Sequence, residues 1–401
     1  MPLRDRKLGD SHNFGRRVVA RDGRIAKPRT VFWEWLLLSE HSPLRQQLSR
    51  IAAEDQSGVR FDFLPSLQFV RPATHRDEAG AQEGEVERIA LQPLALPTPA
   101  ERRTLAEISG HAIALFSWLG LGDLHWENLA LGTDGSGGIC FAPLDIELLL
   151  DDHALPTATR LLPEADPDYA ALYQHACGIR RVLPFLGKPI AIVDLLAMVN
   201  AYRQMLAALE RHTDAIAATL ASLPALHKAP LRVCLRSTGD YVHAGPNLDP
   251  PLLAAEKEQL RRGDIPYFFR LYGRPGIHYF TDASLTTSQR LPTRGDVPQL
   301  SPLLQISKGL RSPKRRSLQE QGLFCLLGAF DHPSFQGDHT LADLTVRFLS
   351  RRLVLRLPDG DELETRRDLR SVVSSVYLPC RCGEARSALV PPLTRCQAHA
   401  A

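Results

Sequence analysis

The chain has 401 residues, 44% of them hydrophobic and 23% charged, which suits a folded protein with a large core and excludes a disordered one. Lys and Arg number 48 against 45 Asp and Glu, and the net charge of +3 is too mild to point to nucleic acid. No apolar run approaches the roughly 18 uncharged residues of a membrane span. The opening MPLRDRKLGD lacks the apolar core of a secretory signal, and seven scattered cysteines suit a reducing compartment, so the expected location is cytoplasmic.

In chain order, Asp22-Gly23 predicts a hairpin turn between Gly15–Ala20 and Arg24–Lys27. Val31–Leu38 and Leu44–Ala53 read as helices, the second started by Ser42-Pro43. Thr74–Glu87 is polar and reads as a loop, and Pro93–Pro99 as a proline-punctuated connector between two lobes. Leu105, Ile108, Ala112, Leu115, Phe116 and Leu119 recur at helical spacing and predict a helix over 100–119. A turn at Gly120-Leu121-Gly122 leads into Asp123, and a second at Asp134–Gly138 precedes an apolar run ending at Asp145. Residues 167–225 read as mostly helical, Ile190–Leu209 above all, and Thr281–Pro302 as a polar loop. The basic run Arg311–Arg316 reads as a solvated loop. Near the end, Leu353–Leu357, Pro358-Asp359-Gly360 and Leu363 predict a hairpin.

The segment Gly122-Asp123-Leu124-His125-Trp126-Glu127-Asn128, followed by Leu144-Asp145-Ile146-Glu147, carries the most chemistry. Phosphoryl transfer needs a carboxylate near the attacking hydroxyl and oxygen ligands that hold Mg²⁺ against nucleotide phosphates. An Asp, an Asn five residues on, and a second Asp after a turn-bounded strand supply those parts in the order used by protein kinases. Surface carboxylates beside turns are the bland alternative, and they explain poorly a His, a Glu and an Asn clustered between two apolar runs. Upstream, Gly9–Gly15 precedes a hairpin ending in Lys27-Pro28-Arg29, the layout of a small lobe that covers nucleotide phosphates. Read as a strand, Arg232–Thr238 puts Arg232, Cys234 and Arg236 on one face with Thr238 following, an anion clamp or, on spacing alone, an edge strand with solvent-facing charges. Arg261–Phe269 reads as a helix end docking on the core.

GDSHNFGR with IAKPR, GDLHWEN with LDIE, RVCLRST with a following DY, and RRGDIPYF occur in one order over residues 9 to about 270. Together they resemble the dehydratase domain of class II lanthipeptide synthetases, the LanM type. The resemblance implies an α+β, two-lobed fold like that of protein and lipid kinases, with a mostly helical large lobe. It implies use of ATP and Mg²⁺ to phosphorylate Ser and Thr of a ribosomally made precursor peptide, followed by elimination of phosphate to dehydroalanine or dehydrobutyrine. Lys27 resembles the family's phosphate-contacting lysine, and Asp123, with His125 and Asn128 beside it, its catalytic aspartate. Asp145 and Glu147 match the metal-binding acidic pair, with Asn128 a further ligand. Asp10, His12, Arg232 and Thr238 match positions used mainly for elimination.

The expected organisation is a small lobe over 1–95, a large lobe over 96–300 and a C-terminal extension over 301–401. Only eight residues precede Gly9 and the cyclase's Cys-His-Gly pattern is not found, so a partner that replaces the family's N-terminal region, or a separate cyclase, is expected. Cys380, Cys382, Cys396 and His399 have the ligand types of a zinc site, but in an unfamiliar spacing that favours buried or idle cysteines. The alternatives to a dehydratase are a stand-alone Ser/Thr kinase of the same fold and a nucleotide-binding pseudoenzyme scaffold.

Overall fold

Asp22 and Gly23 both adopt positive φ, 35° and 78°, the turn geometry that matches the twist of two antiparallel strands. The hairpin they join, β2 (Arg16–Arg21) and β3 (Arg24–Lys27), is the centre of a five-stranded sheet. The computed structural model that shows this describes residues 6–72, 83–95, 97–150, 155–157, 159–163, 176–243, 251–272, 274–292, 313–350, 352–357, 360, 362–366 and 394–396. The sheet runs β1-β2-β3-β5-β4, with β1 at Arg6–His12, β4 at Phe69–Val70 and β5 at Gly84–Glu87. The described end of the polar segment read as a loop over 74–87 is therefore a strand. Lys27 and Gly84 stand opposite each other in its register, so pairing with β3 overrides the local polarity.

Helices α1 (Phe32–Leu38) and α2 (Pro43–Glu54) follow β3, and the Ser42 hydroxyl caps α2 by accepting from Arg45 N–H. The capping box of Thr98 and Glu101 starts the 20-residue α3 (Pro99–Trp118). Strands β6 (Leu129–Thr133) and β7 (Ile139–Pro143) form the turn-bounded pair ahead of Asp145. A short α4 (Leu183–Leu186), then α5 (Ile192–Arg211) and α6 (Thr213–Ala221) supply the helical part. The backbones of α3 and α5 approach so closely at Gly110 that a Cβ there would overlap the Met198 carbonyl oxygen.

By length and a mean hydropathy of 1.3, α5 is apolar enough to cross a membrane, contrary to the sequence expectation. Asp194 and Arg203 interrupt its apolar run without lowering the average enough to matter. In this fold it is a core helix, most of it buried.

A four-stranded sheet, order β11-β10-β9-β8, contains β8 (Leu231–Val233), β9 (Phe268–Arg270), β10 (His278–Phe280) and β11 (Ser288–Arg290). Between β8 and β9 lie α7 (Thr238–Val242) and α8 (Ala254–Arg261). The strand expected over Arg232–Thr238 thus ends at Val233, because the Ser237–Asp240 capping box opens a helix. Pro313–Ala329 is the last helix, α9, so the described part of the basic run read as a solvated loop opens a helix instead. A meander of β12 (Gly337–Leu341), β13 (Leu344–Phe348), β14 (Arg352–Arg356), β15 (Glu362–Arg366) and β16 (Thr394–Cys396) completes the α+β fold. The expected terminal hairpin is β14–β15, with Arg356 opposite Glu362.

One hydrophobic cluster runs from Phe32 and Trp33 through α3 and α5 to Phe348 and Leu363. The α9 helix and the meander pack on α5, and Arg203 pairs with Asp343 at 3.0 Å. Cys380, Cys382 and His399 lie outside the described residues, as does the side chain of Cys396.

Candidate active site

Lys27 ends β3 and is only 5% exposed, so its ammonium must find partners inside the protein. Its Nζ donates to Glu34 Oε1 at 2.8 Å, to Asp145 Oδ1 at 2.5 Å and to the Leu144 carbonyl at 3.1 Å. Arg29, two residues on, donates to Glu34 Oε1 at 2.6 Å and also to Asp145. Glu34 sits on α1 with 1% exposure, whereas the Asp145 side chain keeps 35%. The network is therefore sealed behind Glu34 and open in front of Asp145.

Charges continue along the same line. Glu147 lies 3.5 Å from Arg29 Nε and accepts from Arg232 Nη1 at 3.2 Å. The Arg232 backbone N–H also donates to the Glu147 carbonyl, which fastens β8 to the Asp145–Glu147 segment. Burial raises the Lys27 partners' cost of ionisation, yet the cations win at two of the three carboxylates. Burial alone would push Asp145 upward, but Lys27 and Arg29 hold it well below the usual carboxylate range. Glu34 is likewise lowered, against its burial, by Arg29 and Lys27. Glu147 goes the other way: burial, reinforced by the Asp145 charge, raises it despite Arg29 and Arg232.

Asp123 stands at φ 57°, a left-handed backbone that a non-glycine residue rarely adopts. Asn128 Nδ2 donates to the Asp123 carbonyl at 3.0 Å and approaches its carboxylate at 3.5 Å. Arg160 donates to Asp123 Oδ1 at 2.7 Å. Backbone bonds from Gly122 N–H to Leu148 O and from Leu144 N–H to Asn128 O lay the Asp123–Asn128 loop beside the Asp145–Glu147 segment. The half-buried Cys234 thiol feels the charges of both groups. Burial pushes it up to about 11 against Arg232, and the charges of Asp123 and Glu147 add to the rise.

His12 reaches this cluster from β1. Its Nδ1 meets the Ile265 carbonyl at 2.8 Å, and since a carbonyl can only accept, Nδ1 carries the hydrogen and Nε2 keeps a lone pair. Burial, reinforced by Arg232, lowers His12 to about 4, so the ring is neutral at physiological pH. The loop that carries it is held by Asp264, which is 1% exposed. That carboxylate accepts from Ser11 Oγ at 2.7 Å, Phe14 N–H at 2.8 Å and Gly15 N–H at 2.9 Å. Asn13, Phe14 and Gly15 all have positive φ, so the tight loop is fixed by these bonds rather than by backbone preference. Arg262 lies 4.0 Å over the Phe14 ring. The Arg261–Phe269 segment does end a helix against the core, as expected, but it also clamps the His12 loop.

Lys27, Asp145, Glu147, Arg232 and His12 are thus brought together, with Asp123 and Asn128 alongside. Others stand apart. Thr238 is exposed in the first turn of α7, and Asp10 is exposed too, though its charge still acts on His12. His125 caps the short helix Trp126–Asn128 by accepting from Glu127 N–H at 3.3 Å. Arg236 is no part of an anion clamp with Arg232: its Nε donates to the fully buried Glu256 at 2.9 Å, and Tyr241 donates to the same oxygen at 2.8 Å. The break in the strand after Val233 sends it there.

Glu34, Arg160 and Asp264 escape the sequence reading. For Glu34 the signal is a lone charge within the apolar FWEWLLL, although such a residue ordinarily marks a helix's solvent face. For Asp264 it is the motif RRGDIPYF itself. Arg160 carries no motif.

Among the described residues no group of three or more His, Cys, Asp and Glu forms a complete metal cage. A magnesium ion held against nucleotide phosphates needs only one or two carboxylates. Asp145 and Glu147 repel each other, and Glu147 Oε2 is buried with no hydrogen bond, only the 3.5 Å approach of Arg29 Nε. These two, with the Asn128 amide oxygen left over from its bonds to Asp123, fit such an ion. Comparison with protein-family models gives no match for the chain, and comparison with curated proteins gives none either.

Proposed function

We propose that this chain uses ATP and Mg²⁺ to phosphorylate Ser and Thr of a ribosomally made peptide and then eliminates the phosphate, leaving dehydroalanine or dehydrobutyrine. The fold in this reading is a two-lobed kinase-like one, with 1–95 as small lobe, 96–300 as large lobe and 301–401 as a C-terminal extension. The observation that carries it is the line of charge Glu34–Lys27–Asp145, buried at Glu34 and Lys27 and open at Asp145, continued through Glu147 to Arg232 and His12. Protein kinases pair a small-lobe lysine with a helix glutamate in this manner, ahead of a metal-binding aspartate. A stand-alone kinase has no use for the Arg232 and His12 end of the line.

Bound magnesium and ATP supply the phosphoryl group and offset the charge of its oxygens. Asp145, Glu147 and Asn128 would hold that ion, and Lys27 would hold the nucleotide phosphates. Asp123, oriented by Asn128 and Arg160, accepts the proton of the attacking Ser or Thr hydroxyl. In elimination the His12 Nε2 lone pair takes the α-proton of the phosphorylated residue. The Cα–H pair becomes the Cα=Cβ bond, the Cβ–O bond breaks, and Arg232 stabilises the departing phosphate. The substrate is a precursor peptide met in the cytoplasm, and a separate cyclase or accessory protein completes the pathway.

The test is to incubate the protein with the Ser/Thr/Cys-rich peptide encoded beside it, ATP and Mg²⁺. Loss of one water per modified residue supports the reading. A stable phosphopeptide overturns elimination and leaves the stand-alone kinase, a reading that the exposed position of Thr238 favours.

The His12 surroundings also set a pH dependence. A base lowered to about 4 stays neutral well below the ordinary histidine range near 6.5. Elimination measured on purified phosphopeptide is expected to hold its rate down to about pH 5 and to fall near pH 4, rather than halving near pH 6.5. Stability runs with the same sign: below 6.5 the unfolded chain binds a proton that folded His12 refuses, so stability declines as pH falls from 6.5 towards 4.

A further inference from the structure

The four-stranded sheet carries a cavity of about 300 Å³ that none of the steps above employs. Its floor is apolar: Phe269, Leu271, Phe280 and Leu285 are buried side chains that form a small cluster apart from the main core. Phe269 and Phe280 stack with centroids 4.5 Å apart. Its rim is exposed and basic, with His227, Lys228 and Arg274, while Thr286 and Ser288 close the far side. Among the described residues that line it none is acidic.

The position of this cavity gives it meaning. Phe269 is the cross-strand partner of Arg232, and directly opposed residues of an antiparallel pair share one face, about 5 Å apart. Tyr267, two residues before Phe269 and on the same face, lies 6.3 Å from it. The Arg232 guanidinium sits 5.5 Å over the Tyr267 ring, and the His12 ring lies 6.1 Å from it. One sheet face is thus the wall behind Arg232 and His12 at one end and the cavity floor at the other. A peptide with a Ser or Thr side chain at Arg232 lays a neighbouring residue over Phe269.

We propose that this cavity is the subsite for a residue next to the modified Ser or Thr, taking a large apolar side chain against Phe269 and Phe280, with an acidic neighbour at the Lys228–Arg274 rim. The size fits, since ligand sites start at roughly 300 Å³, and burying a Leu side chain there removes its apolar surface from water. Arg274 and Lys228 on that rim favour a carboxylate over a lysine. This assignment rests on the peptide-modifying reading of the adjoining site, and binding without nucleotide separates the two.

The experiment uses four short fluorescein-labelled peptides that share a central Ser and differ only in its neighbours, Leu-Glu, Leu-Lys, Gly-Glu or Gly-Lys, titrated with the full chain by fluorescence anisotropy. Leu-Glu is expected to bind about tenfold more tightly than Gly-Glu and than Leu-Lys. Thr286→Trp, which fills the cavity from its exposed rim, removes the preference for Leu. Arg274→Glu removes the preference for Glu over Lys. Equal binding of the four peptides, or both preferences unchanged in both variants, overturns the subsite. If the preferences hold and no peptide is ever modified with ATP, the subsite stands and the dehydratase reading falls. If water is lost while all four bind alike, the reading stands and the subsite falls.

Discussion

Asp123→Asn is expected to lower the rate of peptide phosphorylation by about 10²–10⁴-fold, the usual worth of a positioned general base, while leaving the protein folded. The asparagine keeps the shape of the side chain and tolerates the left-handed φ of 57° at this position. It removes the charge that takes up the hydroxyl proton. It also removes one partner of the Arg160 ion pair, but with side chains 26% and 33% exposed that pair is worth about 1 kcal/mol or less. Nucleotide binding, which the proposed reading assigns to Lys27, Asp145 and Glu147, is expected to persist. Initial rates of phosphate incorporation, measured beside the melting temperature, check both halves. A variant as active as the wild type would remove Asp123 from the chemistry.

Glu34→Gln is expected to have the largest effect on stability of any single change at the site. Glu34 is 1% exposed and is the shared partner of Lys27 and Arg29. Loss of its charge leaves two buried cations facing Asp145 and Glu147 alone, and breaking a buried pair from one side costs about 3–5 kcal/mol. Chemical denaturation measures this directly. The exposed pair Arg60–Asp62, with side chains 48% and 63% exposed, is the control, and Arg60→Ala is expected to cost under about 1 kcal/mol. A loss at Glu34 no larger than the control would mean that the network does not support the fold as described.

Much of the scaffold was legible where local chemistry decides. Asp22-Gly23 specifies its hairpin through two positive φ angles, Ser42-Pro43 starts α2 through a side-chain cap, and the period of Leu105 to Leu119 finds α3. Lys27, Asp145, Glu147, Arg232 and His12 stand out in the sequence because their order along the chain carries a motif, and the fold brings them together. What was not legible depends on pairing across long separations. Gly84–Glu87 is a strand only because β3 and β4 flank it. Arg236 was grouped with Arg232 on strand alternation, which fails once a capping box ends the strand. Asp264 acts on residues some 250 positions away, and nothing in its neighbours announces Ser11, Phe14 and Gly15 as its partners. Glu34 was hidden because burial of a charge is a property of the packed helix and not of its sequence.

The claim beneath all of this is that the open side of the Lys27–Asp145 network receives a magnesium-bound nucleotide. Thermal unfolding of the intact protein with ATP, with and without Mg²⁺, tests it without any peptide. At a hundredfold excess over the dissociation constant, bound nucleotide adds about 2.7 kcal/mol and raises the melting temperature by a few degrees. That rise is expected with MgATP and is lost on adding a chelator; an unchanged melting temperature at millimolar MgATP would contradict nucleotide binding at this network.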